Sequence, residues 1–273
     1  MSGLEHPAYG LLRPVTETAS VLLCDNPGLM TLEGTNTWVL RGPGSDEMVV
    51  VDPGPDGSVV ADEHIERLAA LGPIPLVLIS HRHPDHTGGI DRIVELTGAV
   101  VRSVGSGFLR GMGGPLTDGE VIDAAGLRIT VMATPGHTAD SVCFLVDDVR
   151  GDRSDGKGPV LTADTILGRG TTVIDSEDGD LGDYLESLRR LHGLGHRTVL
   201  PGHGPELDDM VAVSETYLAH REERLDQVRA ALRDLGEDAS SREVVEHVYT
   251  DVDEKLWDAA EWSVQAQVDY LRR

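Results

Sequence analysis

The sequence predicts an α/β fold with a helical segment at its C-terminal end. Short apolar runs rich in Val, Ile, Leu and Thr end in turn-forming residues, which is typical of strands in a buried sheet. Between them lie segments with apolar residues three and four positions apart, which predict amphipathic helices. After Pro205 only helical patterns remain. We therefore expect an α/β domain over residues 1–205 and a helical domain over residues 206–273.

The predicted strands follow one another closely in the first half of the chain, and helices separate them in the second half. They cover residues 19–24, 37–40, 48–51, 76–80, 100–104, 127–133, 141–146, 159–162 and 198–200. Helical periodicity covers residues 63–71, 89–97 and 181–191, and then 210–235, 241–249 and 253–271 in the C-terminal segment.

The chain is strongly acidic, with 47 acidic against 23 basic residues and a formal net charge of −24. Proteins that bind double-stranded DNA draw much of their affinity from a basic surface that displaces counterions, so we expect no such partner. Aromatic residues for base stacking are also few, at 3 Trp, 5 Tyr and 2 Phe. The arginines available to a short phosphate ligand, each otherwise expected on the surface, are Arg82, Arg110, Arg169, Arg221 and Arg224.

We expect a soluble, cytoplasmic protein with no membrane partner. No stretch approaches the ~18 uncharged apolar residues that a membrane span needs. The first residues lack the basic and then apolar order of a signal peptide. Cys24 and Cys143 each lie inside an apolar run, which predicts buried thiols rather than a disulfide.

A dense group of metal-ligand residues follows the predicted strand 76–80. The order His81-Arg82-His83-Pro84-Asp85-His86 places four candidate ligands in six residues. Imidazole and carboxylate groups suit zinc and similar ions. A strand that ends in a loop lets His81 and His83 point one way while Asp85 and His86 turn towards a second point. Such a cluster seldom arises by chance, so it predicts a metal site.

Three further candidates each follow a predicted strand. His137 lies in the sequence TPGHT, Asp164 closes the run 159–162, and His203 lies in PGHG. Strand ends on one edge of a sheet are where α/β proteins place their sites. Each residue taken singly is equally consistent with a structural hydrogen bond, but with the cluster at 81–86 the set of seven indicates two metals.

These motifs together resemble the metallo-β-lactamase superfamily over residues 20–205. The resemblance implies an αββα sandwich with the site at one edge. It also implies that His81, His83 and His137 bind one zinc ion, that Asp85, His86 and His203 bind a second, and that Asp164 bridges them. Asp52, which ends the run 48–51, matches a carboxylate behind the ligands in this family. A turn-initiating aspartate is an equal alternative at that position.

The expected chemistry is hydrolysis. Two zinc ions, or other divalent metals, lower the pKa of a shared water, so that a bridging hydroxide attacks an ester-type bond polarised by the same metals. Asp85 is the expected catalytic residue, because it can ligate one metal and also orient the nucleophile or accept its proton.

Two stretches resemble the β-lactamase-like protein 2 group, whose characterised members cleave single-stranded RNA. One stretch surrounds Asn36 and the other contains Asp164 and the pair Thr171 and Thr172. The resemblance therefore suggests the phosphodiester of a short RNA as substrate. We expect Asn36, Thr171 and Thr172 to bind substrate oxygens, against the alternative that they serve strand packing and turns. The helical tail resembles the winged-helix domain of that group, and we expect it to be a truncated form without the β-wing.

Two other functions remain open. The glyoxalase II branch uses the same seven ligands, which makes a thioesterase or lactonase acting on a small molecule the first alternative. The second is a metal-stabilised scaffold without activity, whose acidic helices bind a protein. Trp257 and Trp262 are expected to pack the tail against the body or against a second subunit, which leaves a homodimer open.

Overall fold

The computed structural model describes residues 5–148, 158–175, 177–249 and 257–273. The first sheet has six strands in the order of the chain: β1 (Arg13–Pro14), β2 (Ala19–Leu23), β3 (Asn36–Leu40), β4 (Val49–Val51), β5 (Leu76–Leu78) and β6 (Val100–Arg102). Strands β1 to β4 are antiparallel, and β4, β5 and β6 run parallel. Parallel neighbours need crossover connections, and helices provide them here.

The second sheet has five strands in the reverse order of the chain, from β11 to β7. They are β7 (Val121–Ala124), β8 (Leu127–Ala133), β9 (Val142–Asp148), β10 (Val160–Ala163) and β11 (Val199–Pro201). All pairs are antiparallel except β10 with β11. Strands β10 and β11 therefore end at the same edge of the sheet.

Seven α-helices accompany the sheets in the described ranges. They are α1 (Val59–Ala70), α2 (Pro84–Thr87), α3 (Ile90–Thr97), α4 (Leu181–His192), α5 (Met210–Leu235), α6 (Ser241–Val248) and α7 (Trp257–Leu271). Polar side chains cap several of the N-termini, as in Asp180 before α4 and Asp209 before α5. Ser240 and Glu243 form a capping box at α6. Each cap satisfies backbone N–H groups that the helix itself leaves free.

The two sheets pack face to face, and helices cover both outer faces. Trp38, Leu127 and Phe144 lie in the apolar layer between the sheets. On the outside of the first sheet, α1 and α3 contribute a second apolar cluster that includes Ile65 and Ile93. Helices α4 and α5 cover the second sheet. The predicted αββα sandwich is confirmed.

Helix α5 belongs to two apolar clusters. Its first half, with Tyr217 and Leu225, packs with α4 against the second sheet. Its second half, from Val228 onward, forms a small separate core with α6 and α7. The boundary at residues 205 and 206 therefore marks a change to helical structure, while the packing continues across it.

All nine predicted strands and all six predicted helices are present, with ends that differ by a few residues. For the last predicted helix, residues 253–256 lie outside the described ranges. The edge strands β1 and β7 were not predicted: β1 has only two residues, and the side chains of β7 alternate between exposed and half-buried positions. Cys24 and Cys143 are free and buried, as predicted. No helix in the described part of the chain has the length and apolar character needed to cross a membrane.

Candidate metal centre

All seven predicted ligands meet at one edge of the sandwich. His81 and His83 follow β5, His137 follows β8, Asp164 follows β10, and His203 follows β11. Asp85 and His86 lie on the single-turn helix α2, which begins at Pro84, and not in the loop that the sequence suggested. Proline is favoured at this position because its missing N–H is not needed in the first turn.

The first donor set consists of His81, His83, His137 and Asp164. Nδ1 of His83 lies 3.0 Å from Nε2 of His81 and 3.1 Å from Nε2 of His137. Oδ2 of Asp164 is 4.0 Å from Nε2 of His81 and 3.7 Å from Nε2 of His137. Three ring nitrogens and one carboxylate oxygen thus converge on one point.

The second donor set consists of Asp85, His86 and His203. Oδ2 of Asp85 lies 3.3 Å from Nε2 of His86 and 3.2 Å from Nε2 of His203. Asp164 reaches this set as well, with Oδ1 3.5 Å from Nε2 of His86 and Oδ2 3.4 Å from Nε2 of His203. Asp164 therefore lies between the two sets and contacts both.

Each imidazole has its outer nitrogen hydrogen-bonded to an acceptor. Nε2 of His83 donates to Oδ2 of Asp175 at 2.6 Å, and Nδ1 of His81 donates to the hydroxyl of Ser80 at 2.9 Å. The other acceptors are the carbonyl of Val173 for His137, Oδ2 of Asp52 for His86, and the carbonyl of Gly34 for His203. When the outer nitrogen carries the proton, the inner nitrogen of a neutral ring offers its lone pair to a metal.

Asp52 contacts the second donor set, with its Oδ2 2.9 Å from Nδ1 of His86. It is buried and also accepts hydrogen bonds from the backbone N–H of Ser80 at 2.8 Å and from the Ser80 hydroxyl at 2.6 Å. Its φ of 55° is a left-handed conformation that few non-glycine residues adopt. The carboxylate thus connects β5 to α2 and fixes the ring of His86.

Burial and neighbouring charges act in opposite directions on the ligands. Burial lowers the pKa of His81 well below its ordinary value and lowers that of His137. At His203 burial also opposes the charged ring, but the carboxylates of Asp164 and Asp85 outweigh it and raise the pKa to about 9. The nearby imidazoles hold the pKa of Asp85 and Asp164 far below the usual range despite burial. The two carboxylates are therefore charged and attract cations.

The backbone around Asp164 is tightly constrained. Ala163, directly before it, has a φ of 44°, a left-handed conformation that costs about 1–2 kcal/mol for a residue with a Cβ. Gly202 packs so closely that a Cβ there would lie 2.4 Å from Oδ1 of Asp164. Only glycine fits at this position without displacing the carboxylate.

The donor arrangement fits a pair of metal ions. Within each set the ligand atoms lie within 4.8 Å of one another. Oδ1 of Asp164 is buried and has no hydrogen-bond partner, and a buried carboxylate oxygen is costly unless a proton donor or a cation satisfies it. Imidazole and carboxylate ligands suit zinc and other divalent first-row ions.

A cavity of about 270 Å³ opens beside the donors. The ligands His83, Asp85, His137, Asp164 and His203 form its floor. Apolar side chains form much of its wall: Leu29, Met30, Leu32, Leu167 and Val173. The lining also contains one arginine, Arg169. Arg169 forms an ion pair with Glu33.

The three predicted substrate contacts have different positions. Thr171 and Thr172 line the cavity, but Asn36 does not. Asn36 is buried, and its side-chain amide donates to the carbonyls of Pro201 at 3.0 Å and Gly204 at 2.8 Å. Because β3 lies beside the turn that carries His203, Asn36 holds that turn and has no surface in the cavity.

Asp175 and Arg221 contribute to the site but were not predicted to do so. Asp175 orients His83, and Arg82 pairs with it and with two further acidic residues, Glu177 and Asp178. Arg221 is buried and donates to the carbonyl of Thr172. Of the five arginines considered for a short phosphate ligand, Arg82, Arg110 and Arg169 are paired with acids and Arg221 is buried. Arg224 contacts Gln227 and the ring of Tyr249.

Comparison with known proteins gives consistent results. The metallo-beta-lactamase superfamily model matches residues 30–203, and a beta-lactamase associated winged helix domain model matches residues 240–272. The chain is 33% identical over 220 residues to the atrochrysone carboxyl ACP thioesterase of Aspergillus fumigatus, covering 78% of this chain and 64% of that one. It is 31% identical over 253 residues to the beta-lactamase-like protein 2 homolog of Caenorhabditis elegans, covering 88% and 79%.

A solved structure of a beta-lactamase domain protein from Burkholderia ambifaria superposes with a TM-score of 0.81 at 21% identity, covering 98% of this chain and 89% of that one. At this identity the likeness concerns the fold. The chain spans about two thirds of the length of the fungal relatives that it matches.

The family model and the geometry refer to the same residues. The matched range 30–203 covers more than half of the chain and contains all seven ligands. The winged-helix match agrees with the helical tail, although no strand follows β11 in the described ranges. The chain therefore belongs to the metallo-beta-lactamase superfamily.

Proposed function

We propose that this protein is a metal-dependent hydrolase that cleaves an ester-type bond with a dinuclear centre. The observation that carries this proposal is the position of Asp164, whose carboxylate contacts both donor sets. A bridging carboxylate keeps two cations close together, and the cavity gives a substrate access to both sets.

Divalent ions at such a centre supply an activated water and polarise the bond under attack. The chain itself supplies the orientation of the reacting groups. Asp85 belongs to the second donor set and also lines the cavity. Its Oδ2 lies against His86 and His203, so Oδ1 is the atom that can orient a water and take up its proton. Thr35 holds the carboxylate with a hydroxyl 3.3 Å from Oδ2.

A thioester is the substrate class that we infer first. The cavity wall is largely apolar, and its arginine, Arg169, is paired with Glu33. An acyl group of a thioester can pack against Leu29, Met30 and Leu167, whereas a nucleic-acid strand needs several cations along its backbone. The thioesterase relative from Aspergillus fumigatus supports this choice.

Single-stranded RNA is the second candidate. The similarity to the beta-lactamase-like protein 2 homolog of Caenorhabditis elegans agrees with the sequence resemblance that suggested an RNA substrate. Thr171 and Thr172 line the cavity. The half-buried Thr171 can offer its hydroxyl to a phosphate oxygen, whereas the Thr172 hydroxyl is already bonded to the Asp164 carbonyl. The net charge of −24 counts against this candidate.

One panel tests these alternatives. The metal-loaded protein is incubated with an acyl N-acetylcysteamine thioester, and the released thiol is measured with a chromogenic thiol reagent. Labelled single-stranded RNA is tested separately. We expect thiol release that stops when a chelator is added and returns when zinc is restored, with RNA left intact.

RNA cleavage without thiol release would reject the thioester and keep the hydrolase. Turnover of neither substrate, nor of a lactone or a simple phosphodiester, by protein with two bound metals would reject the hydrolase and favour a metal-stabilised scaffold.

A further inference from the structure

Helix α5 of the C-terminal segment carries a buried cation next to the metal centre. Arg221 is only 3% exposed. Its Nη2 donates to the carbonyl of Thr172, and its guanidinium carbon lies 4.9 Å from the centre of the Tyr184 ring. Within the described ranges, no carboxylate forms an ion pair with Arg221.

A buried guanidinium with so few partners destabilises the fold, which suggests that Arg221 is kept for a specific role. Its Nε has no hydrogen-bond partner, and removing a charged group from water costs several kcal/mol unless contacts replace the lost hydration. The face of an aromatic ring compensates part of this cost. Besides the Tyr184 side chain, the partner of the guanidinium is the Thr172 carbonyl.

Thr172 connects Arg221 to the bridging ligand. The hydroxyl of Thr172 donates to the backbone carbonyl of Asp164. The same segment is held at two more points, by Tyr184 on the carbonyl of Thr165 at 2.7 Å and by Tyr217 on the N–H of Leu167 at 2.9 Å. Ala163 at its start has a left-handed backbone conformation, so the segment needs external contacts to keep its shape.

We propose that Arg221 is a positioning residue of the metal centre: it holds the Thr172 carbonyl, and the Thr172 hydroxyl in turn holds the backbone of Asp164. The C-terminal segment then acts on the chemistry as well as on stability. Arg221 touches neither substrate nor metal in this role. It fixes where the bridging carboxylate lies.

The test measures metal affinity and needs no substrate. Zinc binding to the full-length protein is measured by competition with a chromophoric chelator for the parent chain, Arg221→Met and Thr172→Val. Outer contacts of metal ligands typically change affinity by 10–100-fold, so we expect at least one zinc equivalent to bind about tenfold more weakly in each variant.

The matched control is Leu225→Ala, one turn further along α5. Leu225 is buried in the same apolar cluster as Tyr184 and has no hydrogen bond to the segment 164–172. This variant loses thermal stability through a cavity, but we expect it to keep the zinc affinity of the parent. A purely structural role of Arg221 would make Arg221→Met behave like this control.

A double-mutant cycle tests the connection through Thr172. If Arg221 acts through Thr172, the double variant loses less affinity than the sum of the two single losses, because the second change breaks a contact that the first already weakened. The pair Leu225→Ala and Thr172→Val should be additive.

Parent-like zinc affinity in folded Arg221→Met, or additive effects with Thr172→Val, would overturn the proposal. If Arg221→Met does not fold, as judged by circular dichroism, Arg221→Gln is read in the same way. This inference rests on the proposed metal centre. If the parent chain binds no zinc, both the metal centre and the role of Arg221 are rejected. If the variants bind zinc as the parent does, only the role of Arg221 is rejected.

Discussion

Oδ2 of Asp175 lies 2.6 Å from Nε2 of His83, and this contact decides which ring nitrogen of His83 faces the metal centre. With Nε2 bonded outward, Nδ1 points to His81 and His137. Arg82 binds the same Asp175 oxygen at 2.9 Å. The loop that carries Asp175 is therefore attached to the motif at 81–86 through two neighbouring residues, the candidate ligand His83 and the cation Arg82.

Replacing Asp175 should weaken metal binding without removing a ligand. Asp175→Asn keeps the size of the side chain but loses the negative charge that makes the His83 ring a stronger ligand for a metal ion. We expect about tenfold weaker zinc binding, measured by chelator competition. Asp178→Asn is the control, because Asp178 also binds Arg82 but does not contact His83. Equal affinities for both variants would contradict the role of Asp175.

A buried histidine outside the site should control stability in acid. His64 is 3% exposed, and its Nε2 lies 2.8 Å from the Thr37 hydroxyl. Burial, with a smaller effect of Arg67, lowers its pKa to about 4 from 6.5. Between these values the unfolded chain binds a proton that the folded chain does not. The contribution of His64 to the free energy of unfolding therefore falls by about 3 kcal/mol as the pH drops from 6.5 to 4.

The check is urea unfolding of metal-free protein at several pH values, with chelator present because metal binding is itself pH-dependent. His64→Gln should be less stable at neutral pH but should lose less stability between pH 6.5 and 4 than the parent. His192→Gln, which changes a histidine whose side chain is 41% exposed, is the control. A parent-like slope in His64→Gln would refute this assignment.

The apolar wall should select the acyl group if the substrate is a thioester. Met30 lines the cavity and is 47% exposed, so Met30→Ser should leave the fold intact. We expect the KM for a long-chain acyl thioester to rise about fivefold, since about 1 kcal/mol of apolar contact is lost, with a smaller rise for an acetyl thioester. Met112→Ser, at a fully exposed position outside the cavity, is the control. An unchanged KM in Met30→Ser would argue against packing of the acyl group there.

The convergence of the seven candidate ligands could be predicted from the sequence because most of the contacts between them are local. His81, His83, Asp85 and His86 are near neighbours, and the other three follow strands whose ends meet at one edge. The structure refines one detail: α2 is a helical turn, since Pro84 starts it and backbone N–H groups of residues 86, 87 and 88 complete it.

The contacts that hold these candidate ligands in place could not be predicted from the sequence. Asp175 lies in an irregular loop far along the chain from His83, and no periodic pattern relates the two. Asn36 was interpreted as a substrate contact because of the motif around it, but the pairing of β3 with the turn at 201–204 engages its amide hydrogens. Arg221 lies in an acidic C-terminal segment that suggested solvent exposure, and only the packing of α4 against α5 buries it.

The most direct test of the account is the number of metal ions bound per chain. We expect elemental analysis of zinc-supplemented, desalted protein to give about two equivalents, and Asp164→Ala to lose at least one because that carboxylate serves both donor sets. Asp178→Ala, which changes a surface carboxylate of the adjacent loop, should keep both. Parent protein that retains no metal after supplementation, or Asp164→Ala that retains the full parent content, would contradict the central claim.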